Sequence, residues 1–276
     1  KAGAALMFGS SRESLATLRT ALQSRHADAT LAAVAGELLA VAGTLAREKT
    51  LRVALADAGT AAATRAGIAA SVFAGKVSDS ALGIINDAIA TRWSSDSDLV
   101  VALETLGAQA ACIAAQSDGV LDRVEEEVFL FGRAVAASSE LQMALTNPSL
   151  PAAAKVGIVD SLLTGKAHDI TRQLLSARIG DLRGARVDTA VEELLAVAAD
   201  QRQRLVAEVT SAVPLSDDQS ARLTNALKSL TGRDININVV IDRAVLGGLR
   251  VRMGDDLIDG TIATRLETAS RAVQAD

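Results

Sequence analysis

Residues 31–93 and 121–183 are two copies of one unit. Laid over each other without a gap, at an offset of ninety, they share sixteen identities in sixty-three positions. The pairs run the length of the unit: Leu31/Leu121, Val34/Val124, Glu37/Glu127, Leu51/Leu141, Leu55/Leu145, Gly67/Gly157, Ile68/Ile158, Ser71/Ser161, Gly75/Gly165, Lys76/Lys166, Asp79/Asp169 and Ile89/Ile179. An alanine-rich chain inflates chance matches, yet only four of the sixteen are Ala pairs. Conservative pairs such as Arg65/Lys155, Ile84/Leu174 and Ile85/Leu175 keep the same register. A chain that repeats its folding unit is committed to two related substructures.

Each copy reads as helices with short breaks. Residues 32–49 and 122–138 carry apolar side chains at helical spacing. A short helix at 51–55 or 141–145 ends at Asp57-Ala58-Gly59 or Asn147-Pro148-Ser149. The next, 61–74 or 151–164, has Pro151 where a first-turn proline is tolerated and stops at Gly75 or Gly165. Glycine there supplies a left-handed C-cap, and the lysine after it lies close to the negative helix end. The Gly-Lys pairs do not make a phosphate loop. That motif needs a glycine where Ala70 and Asp160 stand, and Ser or Thr where Val77 and Ala167 stand.

Residues 98–117 overlay 10–26 in one direction and 188–204 in the other. One helix is therefore expected to close the first unit and open the second. With hydrophobic residues at 49% and aromatics at only 2%, the apolar content is mostly Ala, Val, Leu and Ile, which favours helices in close contact.

From about Leu205 the period changes. Residues 205–213 alternate, and Ser216 is placed to cap a helix at 217–230 that Gly232 ends. Residues 235–241 form a period-two strand, residues 250–254 a second, and 257–260 a last extended piece before a helix at 261–273. The expected fold is mainly α: two tandem helical bundles, at 1–96 and 97–204, followed by a small α/β domain at 205–276.

The order Val209-Thr210-Ser211-Ala212-Val213-Pro214-Leu215-Ser216, then Ile241-Asp242, Leu246-Gly247-Gly248-Leu249, Gly254 and Ile258-Asp259-Gly260 resembles the delta-subunit family of bacterial ATP synthase. The mitochondrial member of that family is the oligomycin-sensitivity-conferring protein. Arg243 departs from the pattern, which has proline after the aspartate. Residues 103–182, with Leu145-Thr146-Asn147-Pro148 and Lys155, resemble the family's N-terminal bundle, and 31–93 is an additional copy of it. An extra bundle resembles the actinobacterial arrangement, in which a b-type stalk helix is fused to delta, so a stalk and membrane anchor are expected upstream of Lys1.

The resemblance implies a non-catalytic stator subunit. It would bind the N-terminal segments of alpha subunits, grip a b-type stalk subunit and sit peripherally on the cytoplasmic side of the cell membrane, without a cofactor. Leu103, Leu106, Ala110 and Ile113 recur at helical spacing and are the candidate groove for a partner helix, with an internal core face as the other reading of the same pattern. Pro214, Asp242, Gly247, Gly248, Gly254 and Asp259 are read as structural members of the motif.

Other functions find little support. Net charge is −5, without a basic block or stacking aromatics, which argues against nucleic acid. His26 and His168 have no metal-ligand spacing to each other or to Cys112, the one cysteine, which is expected to be a buried thiol. Glu125-Glu126-Glu127 reads as a solvated face near a helix start, and Asp255-Asp256 with Asp259 lacks the calcium-loop order. No apolar run approaches the roughly 20 residues that cross a bilayer. A general helical adaptor is the alternative, though such a repeat has no reason to end in this strand and glycine series.

Overall fold

The computed structural model describes residues 9–25, 28–203, 206–231, 235–242, 248–253 and 256–259. The chain divides into two compact units, Lys1–Ala198 and Ala199–Asp276.

The first unit is helical. Helix α1 (Ser10–Gln23) precedes the first copy of the repeat: α2 (Leu31–Arg47), α3 (Lys49–Ala56), α4 (Ala62–Phe73) and α5 (Asp79–Ala90). After α6 (Asp96–Ser117) the second copy follows as α7 (Leu121–Ala136), α8 (Ser139–Thr146), α9 (Ala152–Leu163) and α10 (Asp169–Gly180). The next helix, α11, spans Val187–Gln203. Helices α3, α4 and α5 coincide end for end with α8, α9 and α10 at the offset of ninety. Their stops coincide too. Gly75 and Gly165 sit at φ +75° and +73°, the left-handed conformation that ends a helix without the penalty of a Cβ.

Helix α6 is the shared element expected between the copies. It packs on α1, α2, α3 and α5 of one side and on α7 and α10 of the other. Ser95 caps it by accepting the Ser97 N–H at 3.2 Å, and Asp96 and Asp98 place negative charge in its first turn. Because both copies bury side chains against α6, the described residues from Leu15 to Ala198 form one continuous apolar core. The expectation about apolar runs needs correcting at this helix. Its 22 residues are long and apolar enough to cross a membrane, but 78% of that span is buried inside the protein. A helix apolar on all sides is what a core position demands.

The second unit is an α/β sheet layer. Strands β1 (Val206–Ser211), β2 (Asn236–Ile241), β3 (Leu249–Met253) and β4 (Asp256–Asp259) lie in the order β2-β1-β3-β4. β1 and β2 run parallel, joined through helix α12 (Asp217–Thr231), while β3 is antiparallel to both β1 and β4. Ser216 and Gln219 cap α12 reciprocally: the Gln219 N–H donates to Ser216 Oγ, and the Ser216 N–H donates to Gln219 Oε1 at 2.9 Å. Alternate residues Ala207, Val209 and Ser211 of β1 face inward, and Val209, opposite Val239 and Val251, lies in a small core with Leu227 and Ile235. The expected helix at 261–273 lies outside the described residues.

Candidate partner-binding surface

Leu103, Leu106, Ala110 and Ile113 are fully buried. The reason lies at Gly107, between the first two and the last two. A Cβ there would stand 2.8 Å from Leu39 Cγ and 3.2 Å from the Ala35 carbonyl oxygen, so α2 crosses α6 at a distance that only glycine permits. Leu103 and Ala110 lie about a turn to either side of Gly107 on the same helix face. A helix does lie along this stripe, and it belongs to the chain itself. The periodicity showed an apolar face without showing its neighbour, and the groove expected for a partner is interior core.

Polar contacts fix the helices around this core at repeat-equivalent positions. Glu37 Oε2 accepts from Ser78 Oγ at 2.6 Å. Glu127 Oε2 accepts from Thr171 Oγ1 at 2.6 Å and from the His168 N–H at 2.8 Å. Ser78 and His168 are the N-caps of α5 and α10, so one identical carboxylate in each copy ties a helix start to the preceding long helix. Burial works to raise the Glu127 carboxyl, but the Thr171, His168 and Arg123 hydrogen bonds together hold it below its ordinary value. Glu127 is therefore an anchor, not part of a merely solvated acidic run.

The conservative pair Arg65/Lys155 is buried in both copies. Arg65 donates to the Leu55, Ile89 and Ala90 carbonyls, satisfying the last turns of α3 and α5 where positive charge is favourable. Arg52 bonds Asp96 at 2.7 Å as well as the Leu45 and Ala46 carbonyls, which joins the end of α2 to the start of α6. Arg52 holds the Asp96 carboxyl below its ordinary value. Glu104 pairs with Arg183, and Arg178 with Glu193 at 2.8 Å. Burial pushes the Glu104 carboxyl up, against the pull of both arginines.

In the second unit the motif residues shape the backbone. Pro214 is exposed in the connection from β1 to α12. The Asp242 N–H donates to the Ser211 carbonyl at 2.9 Å, adding one bond beyond the end of the β1–β2 pairing. Gly248 enters β3 at φ +87°, and Asp259 stands opposite Arg250 in the β3–β4 register. Gly247 and Gly254 lie outside the described residues, as do His26 and Asp255.

Surface that could meet a partner lies elsewhere. Phe129 (50% exposed), Leu130 and Met143 are exposed on the second copy, and Val53, the repeat equivalent of Met143, on the first. Phe129 and Leu130 fall outside the Leu121, Val124, Val128, Phe131, Val135 stripe that α7 buries, and that misfit is a signal the sequence carried. Among the described residues, no group of three or more His, Cys, Asp or Glu could hold a metal ion, and Cys112 is buried as expected.

Residues 107–273 match the family model for the ATP synthase delta (OSCP) subunit. The chain belongs to that family. "ATP synthase subunit delta" of Parafrankia sp. (strain EAN1pec) is 40% identical over 277 residues, covering 97% of this chain and 99% of the relative. The subunit of the same name from Streptomyces griseus is 41% identical over 267 residues (96% and 98%), and that from Rhodococcus opacus 38% over 275 (97% and 99%). A chain in the cryo-EM structure of the Toxoplasma gondii mitochondrial ATP synthase hexamer is similar at 21% identity and a TM-score of 0.34, covering 63% of this chain and 98% of that one. The family model enters this delta-family chain inside α6, so α1 to α5 precede the matched part. The curated delta subunits from actinobacteria span both copies.

Proposed function

We propose that this delta-family chain is a non-catalytic stator subunit of a rotary, proton-translocating ATP synthase. It links the catalytic alpha/beta headpiece to a b-type peripheral stalk and resists rotor torque. Its partners on this reading are the N-terminal segments of alpha subunits and the b-type stalk, and it meets the membrane only through that stalk, on the cytoplasmic side of the cell membrane. Kinship with delta subunits along nearly the whole chain carries the reading. The architecture suits it. Two helical copies clasped on one shared helix resist deformation through close-packed cores, and the residues of the family motif serve backbone geometry.

Purification through a tag on this chain from detergent-solubilised membranes tests the assignment. Alpha and beta subunits are expected to co-purify in fixed stoichiometry, and the isolated chain to show no ATP hydrolysis. Recovery of the chain alone, or with an unrelated set of helical ligands, favours a general adaptor.

A further inference from the structure

Five charged side chains gather where α10 gives way to α11. Arg178 of α10 donates to Glu193 of α11 through Nε and Nη2, at 3.0 and 2.8 Å, and through Nη1 to the Asp181 carbonyl at 3.1 Å. Arg183, in the turn between the helices, pairs with Glu104 of α6. Both guanidiniums are thereby engaged and a third carboxylate is left over: Oδ2 of Asp181 is buried without a hydrogen-bond partner. Three carboxylates stand against two guanidiniums, so the fully ionised cluster carries one spare negative charge. Burial, with the charge of Asp181 added to it, pushes the Glu104 carboxyl up against the pull of both arginines. The turn itself holds strain. Arg183 has φ +49°, the one non-glycine residue with positive φ among the described residues, and Gly184 follows at +81°. Other charges around α6 are held elsewhere: Asp96 by Arg52, Asp98 by Ser11, Glu37 by Ser78 and Glu127 by Thr171. Half-buried Glu125 of α7 and Asp200 of α11 have interactions of their own, Arg172 of α10 pairs with Asp169, and the remaining charges on α7 and α11 are exposed.

The first copy closes the equivalent joint without charge. At the offset of ninety the five positions are Ser14, Ala88, Thr91, Trp93 and Leu103. Ala88, Trp93 and Leu103 are buried, and the Trp93 indole N–H donates to the Ala88 carbonyl at 2.8 Å. Apolar packing of that kind is indifferent to pH and is often at least as stable as a buried ion network. Five charges in its place, in one copy only, make a joint whose strength follows protonation. The place matters too. The joint fixes the start of α11, the helix within which the chain divides into its two units. We propose that Glu104, Arg178, Asp181, Arg183 and Glu193 form a proton-operated latch on α11. With one proton taken up at Glu104, the two guanidiniums balance Asp181 and Glu193, and the start of α11 is clamped to α6 and α10. With that proton lost, the spare negative charge loosens the strained turn at Arg183.

Hydrogen exchange of the full-length chain tests the latch, read at the amides of residues 187–195 with those of α2 as an internal reference. Relative to α2, the start of α11 is expected to be at least about threefold better protected at pH 5 than at pH 8. Glu104→Gln and Asp181→Asn each remove the spare charge and keep a hydrogen-bonding side chain of the same shape. Each is expected to protect the start of α11 better than the wild type does at pH 8. An ordinary structural ion pair gives the reverse for Glu104→Gln, because that variant breaks the charged bond to Arg183. Equal protection of the wild-type α11 at the two pH values overturns the proposal. So does a variant of either kind whose α11 is no better protected than that of the wild type at pH 8. Failure of the stator reading would show separately, as absence of alpha and beta subunits in the tag purification.

Discussion

At Gly107 a single hydrogen in place of a methyl group sets the distance between α2 and α6. Alanine there would gain about 1 kcal/mol of helix propensity. It would also force its Cβ against Leu39 Cγ at 2.8 Å and the Ala35 carbonyl oxygen at 3.2 Å, and overpacking of that kind costs about 1–3 kcal/mol. Gly107→Ala is therefore expected to lower the thermal midpoint. Gly67→Ala has nothing within 4 Å of the new methyl and is expected to raise it. Differential scanning calorimetry of the two variants checks both signs. Two carboxylates respond to pH in opposite directions. Glu127 titrates below its ordinary value in the folded protein, so its contribution is present above the usual carboxylate range and is lost as pH falls through the depressed value. Glu104 titrates above its ordinary value, so its contribution is present at low pH and is lost as pH rises through the raised value. Relative to the wild type, Glu127→Gln is expected to be destabilised at neutral pH and to converge with it in acid. Glu104→Gln is expected to gain on the wild type as pH rises. Melting curves from pH 3 to pH 8 read both.

At the scale of elements, the repeat made much of the helical unit legible. The glycines at 75 and 165 stop helices where the pattern says they should, and the overlay of 98–117 on two neighbours anticipates α6 as a shared helix. The pairing of Glu37 with Glu127 was visible as an identity, but its cause was not. A carboxylate that anchors a helix start forty residues later leaves no local pattern, and within Glu125-Glu126-Glu127 it looked solvated. The stripe of Leu103, Leu106, Ala110 and Ile113 failed as a docking site for a related reason. Periodicity identifies an apolar face and is silent on whether the covering helix comes from another chain or from α2. In the second unit, alternation gave the strands to within a residue or two, because one face of the sheet is buried and a slip would turn every side chain over. Gly248 belongs to this scale, since at φ +87° it turns the chain into β3. A β-branched residue is strained there, and Gly248→Val is expected to destabilise the second unit by about 1–3 kcal/mol. Hydrogen exchange of the β1 and β3 amides is the readout, with faster exchange expected there and α2–α6 protection unchanged.

At the scale of the whole molecule, the proposed stator role makes this delta-family chain a mechanical link whose residues serve packing and contact. Its first copy adds a second helical unit to the part that the family model covers. The two copies share one core through α6, so damage to that helix should fail both together. The proposal that it ties the catalytic headpiece to the peripheral stalk against rotor torque is tested most directly in membrane vesicles that carry the ATP synthase and are depleted of this chain. ATP hydrolysis is expected to continue while ATP-driven proton pumping, followed by quenching of a pH-sensitive dye, is lost, and adding back the purified chain is expected to restore pumping. Full pumping in vesicles that lack the chain would contradict it.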